Sequence, residues 1–223
     1  MTFEQIISGI RGRQYKPIYL LMGDEPYYID EITGLLVDSV LPEDEKDFNQ
    51  NILYGMETDV KSLITMARSF PMMSEYQLIV VKEAQNLSKI DELEIYAKNP
   101  LKSTILVLNY KNGSLDKRKK LYAEIDKVGA VFESKKIPEY KMPAFISSFI
   151  QQKGLSIDQK SAQMLSDYLG NDLNKLANEV AKLQIAIPPQ QKQITAELIE
   201  QNIGISKDFN NFELLKAIVE KDV

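Results

Sequence analysis

The sequence predicts an α/β fold in which a doubly wound parallel sheet is followed by a small helical domain. Three observations support this prediction. Short apolar runs alternate with helical patterns up to Ile137. The runs LIVV and TILVL are almost continuously apolar, which is typical of parallel strands covered on both faces. After Pro138 we identify no convincing strand, and the remaining patterns are helical.

The first helix is expected to follow Thr2, a suitable N-cap, and to end at Gly12. Phe3, Ile6 and Ile10 recur there at helical spacing. The predicted strands are Ile18–Met22, Asn51–Tyr54, Gln77–Val81, Thr104–Leu108 and Ala130–Phe132. The predicted helices between them are Pro26–Leu41, Asp59–Ser69, Leu87–Lys98 and Asp116–Lys127.

The predicted domains are an α/β domain at residues 1–138, a helical lid domain at 139–205 and the start of a third helical domain at 206–223. Ser156 and Asp158 supply helix-start chemistry in the lid, and Gly154 and Gly170 supply stops. The lid helices are predicted at Lys141–Gln152, Asp158–Leu169, Asn171–Gln184 and Thr195–Ile203. An amphipathic segment beginning at Phe209 suggests a truncated chain, with a docked C-terminal helix as the alternative.

Composition narrows the class of protein. With 223 residues, 44% of them hydrophobic, the chain is expected to be a soluble globular protein of the cytoplasm, without a membrane span or a secretory signal. Because it contains no Cys and no His, Ser-His and Cys-His catalysis and thiolate zinc sites are excluded. The net charge of -5 argues against a surface that binds nucleic acid throughout and favours protein partners.

The stretch YLLMGDEPYYIDEI has the strand, glycine turn and helix of a nucleotide-binding loop. A phosphate-binding loop reads G-x-x-x-x-G-K-[ST], where Lys neutralises phosphate and the hydroxyl holds Mg²⁺. Counted from Gly23, the second glycine position holds Tyr28, the Lys position Ile29 and the hydroxyl position Asp30. The sequence therefore predicts the scaffold of a nucleotide site without its chemistry, and we expect no cofactor and no metal.

An α/β domain followed by a helical lid is the layout of the AAA+ ATPases, which predicts where other nucleotide-handling residues should lie. Lys82, followed by Glu83, stands where an Asp-Glu pair should end the third strand, and Leu173 stands where the lid should carry a sensor arginine. Asn109 is the polar residue of the sheet that is best placed to sense a bound nucleotide. Asn109 alone could not bind Mg-ATP usefully, because phosphoryl transfer depends on several positioned charges acting together. We therefore predict an AAA+-like domain with a degenerate nucleotide site; the alternative is an unrelated α/β domain in which Gly23 is an ordinary turn.

Several stretches together resemble the delta subunit of the bacterial DNA polymerase III clamp loader. They are KPIYLLMGDEPYYIDE, FPMMSEYQLIVVKEAQNL, LDKRKKLY, GNDLNKLANEVAKL and FELLKAI, and the resemblance covers nearly the whole chain. It implies an AAA+ module that has lost its ATP site and a third, collar domain of which only the first helix fits in this chain. The partners it implies are the sliding clamp (beta subunit), the gamma/tau and delta prime subunits, and primer-template DNA reached through the complex, with no membrane.

The resemblance also implies a clamp-binding site. Members of the family bind the clamp with an apolar pair at the tip of a helix before the third strand, and these positions fall on Met72 and Met73. Phe70 stays open between a third contact and a residue that anchors the helix from beneath, and Pro71 is expected to fix the turn. Without the resemblance, Met beside Phe before a strand is more often a core residue.

A basic run invites a nucleic-acid interpretation, because adjacent cations neutralise phosphates. It comprises Lys117, Arg118, Lys119 and Lys120. A solvated helix start, capped by Asp116 with Leu115 and Leu121 facing inward, is the better interpretation in this acidic chain. Tyr27 and Tyr28 are likewise interpreted as packing residues rather than as a base-stacking platform.

We therefore predict a clamp-loader delta subunit that helps to open the clamp and has no active site of its own. One alternative is an AAA+ ATPase with an unconventional site, in which Lys16, Lys82 or another cation replaces the missing lysine. The other is a DNA-binding scaffold that uses Lys117 to Lys120.

Overall fold

The computed structural model describes residues 1–188 and 191–203. The chain divides into two compact units, Met1–Lys135 and Lys136–Val223, and each is described by itself. The predicted segment at Phe209 and the predicted third domain at 206–223 lie outside the described residues. Within the described ranges, none of the helices has both the length and the apolar character needed to cross a membrane.

The first unit is built on a five-stranded sheet in which every pair of neighbouring strands is parallel. The strands are β1 (Ile18–Gly23), β2 (Gln50–Tyr54), β3 (Gln77–Lys82), β4 (Thr104–Lys111) and β5 (Ala130–Ser134). Their order across the sheet is β2-β3-β4-β1-β5, so β1 is an inner strand and β2 and β5 are edges. The α/β class predicted from the apolar runs is confirmed.

Helices cover both faces of this sheet. They are α1 (Phe3–Arg11), α2 (Pro26–Ser39), α3 (Glu43–Asn49), α4 (Val60–Ala67), α5 (Glu94–Ala97) and α6 (Lys120–Val128). Side chains that alternate along β1 enter two different cores: Leu20 and Met22 pack with α4, α5 and α6, whereas Tyr19 and Leu21 pack with α1 and α2. The continuous apolar strands are thus buried on both faces, as a three-layer α/β domain requires.

The helix predicted at Leu87–Lys98 is largely absent. The chain forms 3₁₀ turns at Ala84–Asn86 and Ile90–Leu93, and only the short α5 is α-helical. Lys89 has a φ of 57°, a left-handed conformation that an α-helix cannot contain. The helix α3 was not predicted, because EDEKDFN has no apolar period; its acidic first turn instead suits the positive end of the helix dipole.

The second unit contains α7 (Met142–Gln152), α8 (Gln159–Leu169), α9 (Leu173–Ala186) and α10 (Ala196–Asn202). The expectation that it has no strand is wrong, since β6 (Ser156–Ile157) pairs in parallel with β7 (Gln193–Ile194). Ser156 is therefore a strand residue rather than a helix start, and Asp158 alone caps α8, accepting from the Ser161 amide at 2.8 Å. Two-residue strands have too little apolar pattern to be recognised in a sequence.

Candidate functional site

The turn at Gly23 is built for close packing. Gly23 has a φ of 125°, its amide donates to the Gly113 carbonyl at 2.8 Å, and its carbonyl accepts from the Asn112 amide at 2.9 Å. A Cβ at this position would lie 2.0 Å from the carbonyl oxygen of Ser134 at the end of β5. The glycine is explained by the approach of two strand ends, without any bound phosphate.

The positions that would hold phosphate and Mg²⁺ are occupied by other interactions. Ile29, at the lysine position, is fully buried in the core shared with α1. Asp30, at the hydroxyl position, forms an ion pair of 2.6 Å with the Lys111 ammonium at the end of β4. At the N-terminus of α2, the Glu25 carboxylate accepts from the Tyr27 amide at 3.2 Å, where a phosphate would otherwise bind. This placement of charge weighs against nucleotide binding.

Tyr27 and Tyr28 are packing residues in the first turn of α2. The Tyr28 ring meets the edges of Phe3 at 5.0 Å and Phe132 at 6.3 Å between ring centroids. Burial is the main cause that raises the pKa of each tyrosine to about 12. Through these contacts the Tyr28 ring packs α2 against α1 and β5.

The remaining nucleotide-handling positions have local structural roles. The Lys82 ammonium, at the end of β3, lies 5.8 Å from the centroid of the Tyr54 ring. Asn109 is buried, and its Oδ1 accepts from the Thr33 hydroxyl at 3.0 Å. In the second unit, Leu173 is buried at the first turn of α9. These side chains supply no metal ligand and no sensor arginine.

The variant Thr33→Val is expected to lower the free energy of unfolding by about 1–3 kcal/mol, because it removes the hydroxyl that lies 2.7 Å from the Ile29 carbonyl and 3.0 Å from the buried Asn109 Oδ1. Urea unfolding of the parent and the variant measures the change. Thr33→Ser, which keeps the hydroxyl, is the matched control. Because valine keeps the methyl group and loses only the hydroxyl, equal stability of Thr33→Val and the parent would show that the hydroxyl contributes little here.

Three cations of the basic run are paired with carboxylates. Their ammonium or guanidinium nitrogens lie within 2.7–2.8 Å of carboxylate oxygens, in the pairs Lys117–Glu133, Arg118–Asp116 and Lys119–Asp91. The expected N-cap is wrong: α6 begins at Lys120, and Asp116 accepts instead from the Arg118 amide at 2.9 Å. These acidic neighbours reduce the positive potential that phosphates would meet, so DNA contact by Lys117 to Lys120 stays a prediction.

The segment at residues 68–76, between α4 and β3, carries three exposed apolar side chains and is called the methionine loop below. Met73 is 97% exposed, Phe70 79% and Met72 53%. The core interpretation of these residues is therefore wrong. The expected helix tip is wrong as well, because α4 ends at Ala67 and the methionines follow in a loop.

The backbone of this loop is held by side chains from neighbouring elements. The Gln77 side-chain Nε2 donates to the carbonyls of Met66, in the last turn of α4, at 3.2 Å, and of Ser69. The Asn49 side chain bonds to both backbone groups of Met72, at 2.7 and 3.0 Å. Met73 itself has a φ of 54°, which is uncommon for any residue other than glycine. The loop thus presents a fully exposed apolar side chain from a defined backbone.

Sequence reasoning missed Asn49 and Gln77. Each bonds to a segment elsewhere in the chain, Asn49 to a residue 23 positions away and Gln77 to residues 8 and 11 positions away. A polar residue just before or at the start of a predicted strand was the available signal, and it is too common to identify a loop anchor.

The order of the parallel sheet and the helices on both of its faces define the first unit as an AAA+-like module. The chain belongs to the family described as DNA polymerase III, delta subunit, whose model matches residues 19–135. It is 26% identical over 231 residues to DNA polymerase III subunit delta of Bacillus subtilis (strain 168), covering 99% of this chain and 66% of that protein. This chain therefore spans slightly less than two thirds of that relative's length.

Solved structures show the same fold. The Bacillus subtilis DNA clamp loader delta protein matches with a TM-score of 0.81 and 24% identity, over 99% of this chain and 68% of that one. A mutant of Thermotoga maritima RuvB matches with a TM-score of 0.51 and 11% identity, over 89% of this chain and 65% of its own. At these identities the likeness concerns the fold.

Proposed function

We propose that this chain binds the sliding clamp through Met72, Met73 and Phe70 and helps to open the ring during DNA replication, without binding ATP itself. The observation that carries the proposal is Met73, whose side chain is 97% exposed on a loop held at several points. Family membership supports a place in the replication machinery. An exposed apolar cluster on a defined backbone is typical of a surface that another protein covers.

The energetics of such a contact are favourable. Burying Met72 and Met73 in an apolar pocket would contribute roughly 1.5–3 kcal/mol each before ordering costs. Met is flexible enough to fit an irregular pocket. Because the loop is already held by Gln77 and Asn49, less conformational entropy is lost on binding.

Ring opening would follow from a difference in affinity. A ligand shifts a conformational equilibrium only as far as it prefers one state over the other. Tighter binding of the methionine loop to a clamp with one open interface would favour that state. The ATP that regulates access would bind to neighbouring subunits (gamma/tau), which together with delta prime and primer-template DNA are the further partners in this proposal.

The test is equilibrium binding to the cognate sliding clamp without nucleotide, comparing the parent with a Met72→Ala, Met73→Ala double variant. We expect about 100-fold weaker binding by the double variant, the equivalent of roughly 3 kcal/mol. Met56→Ala is the matched control, since Met56 is a methionine of the same unit that is 79% exposed. Met56 follows the C-terminal end of β2, whereas the methionine loop lies near the N-terminal end of that strand. Unchanged affinity of the double variant, or an equal loss for Met56→Ala, would overturn the proposal.

A further inference from the structure

Asn49, the last residue of α3, is a buried polar side chain that faces the methionine loop; it is only 2% exposed. Its Oδ1 accepts from the Met72 amide at 2.7 Å, and its Nδ2 donates to the Met72 carbonyl at 3.0 Å. The same Nδ2 lies 3.2 Å from the Glu45 carbonyl in its own helix. One side chain thus connects α3 to the backbone of the residue before Met73.

The pairing resembles one unit of a sheet ladder. A side-chain amide has a donor and an acceptor, so it satisfies the amide and the carbonyl of one residue together, as a neighbouring strand would. The two bonds together hold the Met72 backbone in this orientation. The position of the next residue, Met73, follows directly from the backbone of Met72.

The geometry also explains how Met73 keeps a disfavoured conformation. Its φ of 54° lies in the left-handed region, which residues other than glycine, asparagine and aspartate rarely adopt. A loop without anchors would relax away from such a conformation. The two bonds from Asn49, together with the bond from the Gln77 side chain to Ser69 near the start of the loop, hold the backbone on the N-terminal side of Met73.

We propose that Asn49 is a positioning residue for the clamp contact: it holds Met72 so that Met73 is presented to the clamp in a single orientation before binding. This inference rests on the proposed function. Asn49 is itself buried and supplies no exposed surface, so it acts through the loop. Removing it would leave the apolar side chains of the loop in place but add an ordering cost when the clamp binds.

The test compares Asn49→Ala, Asn49→Asp, Met73→Ala and Thr33→Val in the same clamp-binding measurement. Thr33→Val controls for lost stability, because it removes a buried hydrogen bond near the opposite, C-terminal edge of the sheet, at Asn109. We expect Asn49→Ala to bind about 10-fold weaker than the parent and Thr33→Val to bind like the parent. Asn49→Asp keeps the acceptor for the Met72 amide but turns a carboxylate oxygen toward the Met72 and Glu45 carbonyls, so it should bind no better than Asn49→Ala.

Amide hydrogen exchange gives a second readout that lost stability alone would not produce. In Asn49→Ala, exchange at the Met72 amide should accelerate while Val80, in the middle of β3, keeps its protection. In Thr33→Val, the Met72 amide should keep its protection from hydrogen exchange under native conditions. Asn49→Ser, a smaller and uncharged replacement, provides the same comparison if the alanine variant does not fold.

The outcomes separate the two proposals. If Met73→Ala loses binding while Asn49→Ala and Asn49→Asp bind like the parent, Asn49 has no positioning role and the clamp proposal stands. If Met73→Ala also binds like the parent, the clamp proposal itself fails. An equal loss of affinity for Asn49→Ala and Thr33→Val overturns the positioning role, since general destabilisation would then account for both.

Discussion

The variant Gly23→Ala is expected to lose about 2–6 kcal/mol of the free energy of unfolding, since strain and overpacking each cost about 1–3 kcal/mol. Its Cβ would lie 2.0 Å from the carbonyl oxygen of Ser134 and 2.6 Å from the Ser134 hydroxyl. Relief requires movement of the β5 backbone, which is bonded to the Asp24 amide at 3.2 Å. The φ of 125° adds strain for any residue with a Cβ.

Gly34→Ala is the matched control and should act in the opposite direction. Gly34 lies inside α2, and an added Cβ there meets no atom within 4 Å. Alanine should therefore raise the free energy of unfolding by about 0.5–1 kcal/mol through helix propensity. Urea unfolding followed by circular dichroism measures both variants. Equal stability of Gly23→Ala and the parent would show that the ends of β1 and β5 can separate at little cost.

The variant Met73→Gly is expected to lose most of the proposed clamp binding while the free chain becomes slightly more stable. Met73 is 97% exposed, so its side chain contributes little packing to the free chain. Its φ of 54° lies in a region that disfavours a residue with a Cβ. Glycine removes the conformational strain of a Cβ in this region, which costs about 1–2 kcal/mol. Glycine also gives the unfolded chain more conformational entropy, which offsets part of this stabilisation. The free energy of unfolding should therefore rise by about 0.5–1 kcal/mol.

Met73→Ala separates the two effects of this change. Alanine removes the apolar side chain but keeps the Cβ, so clamp binding should fall as in the glycine variant while stability stays near that of the parent. Thermal or urea unfolding and clamp titration are measured on the same samples. A marked loss of stability in Met73→Gly would show that Met73 packs within the free chain, and retained binding would show that the clamp contact lies elsewhere.

Local chemistry allowed much of the fold to be predicted. Thr2 forms the expected N-cap, accepting from the Gln5 amide at 3.3 Å while the Gln5 side chain accepts from the Thr2 amide at 2.9 Å. Each predicted strand of the first unit is present, because an unbroken apolar run beside turn residues has few other stable arrangements. Where such signals were absent, as in α3 and β6, the prediction failed.

Pairs distant in sequence were not predictable. The ion pair between Asp30 and Lys111 joins residues 81 positions apart, and the bonds from Asn49 to Met72 join residues 23 apart. Each member alone is an ordinary polar residue. Only the parallel order of the sheet, which places the ends of β1 and β4 side by side, brings Asp30 and Lys111 together.

The sequence by itself determined that the lysine and hydroxyl positions of a phosphate-binding loop hold Ile29 and Asp30, because a missing functional group is visible in the residue string. Tertiary structure decided that Met72 and Met73 are exposed, with Met73 at 97%. The physical reason is that burial depends on what surrounds a side chain. A short apolar segment before a strand could equally pack into the core. Here it faces solvent, because the side chains of Asn49 and Gln77 hold its backbone as a loop.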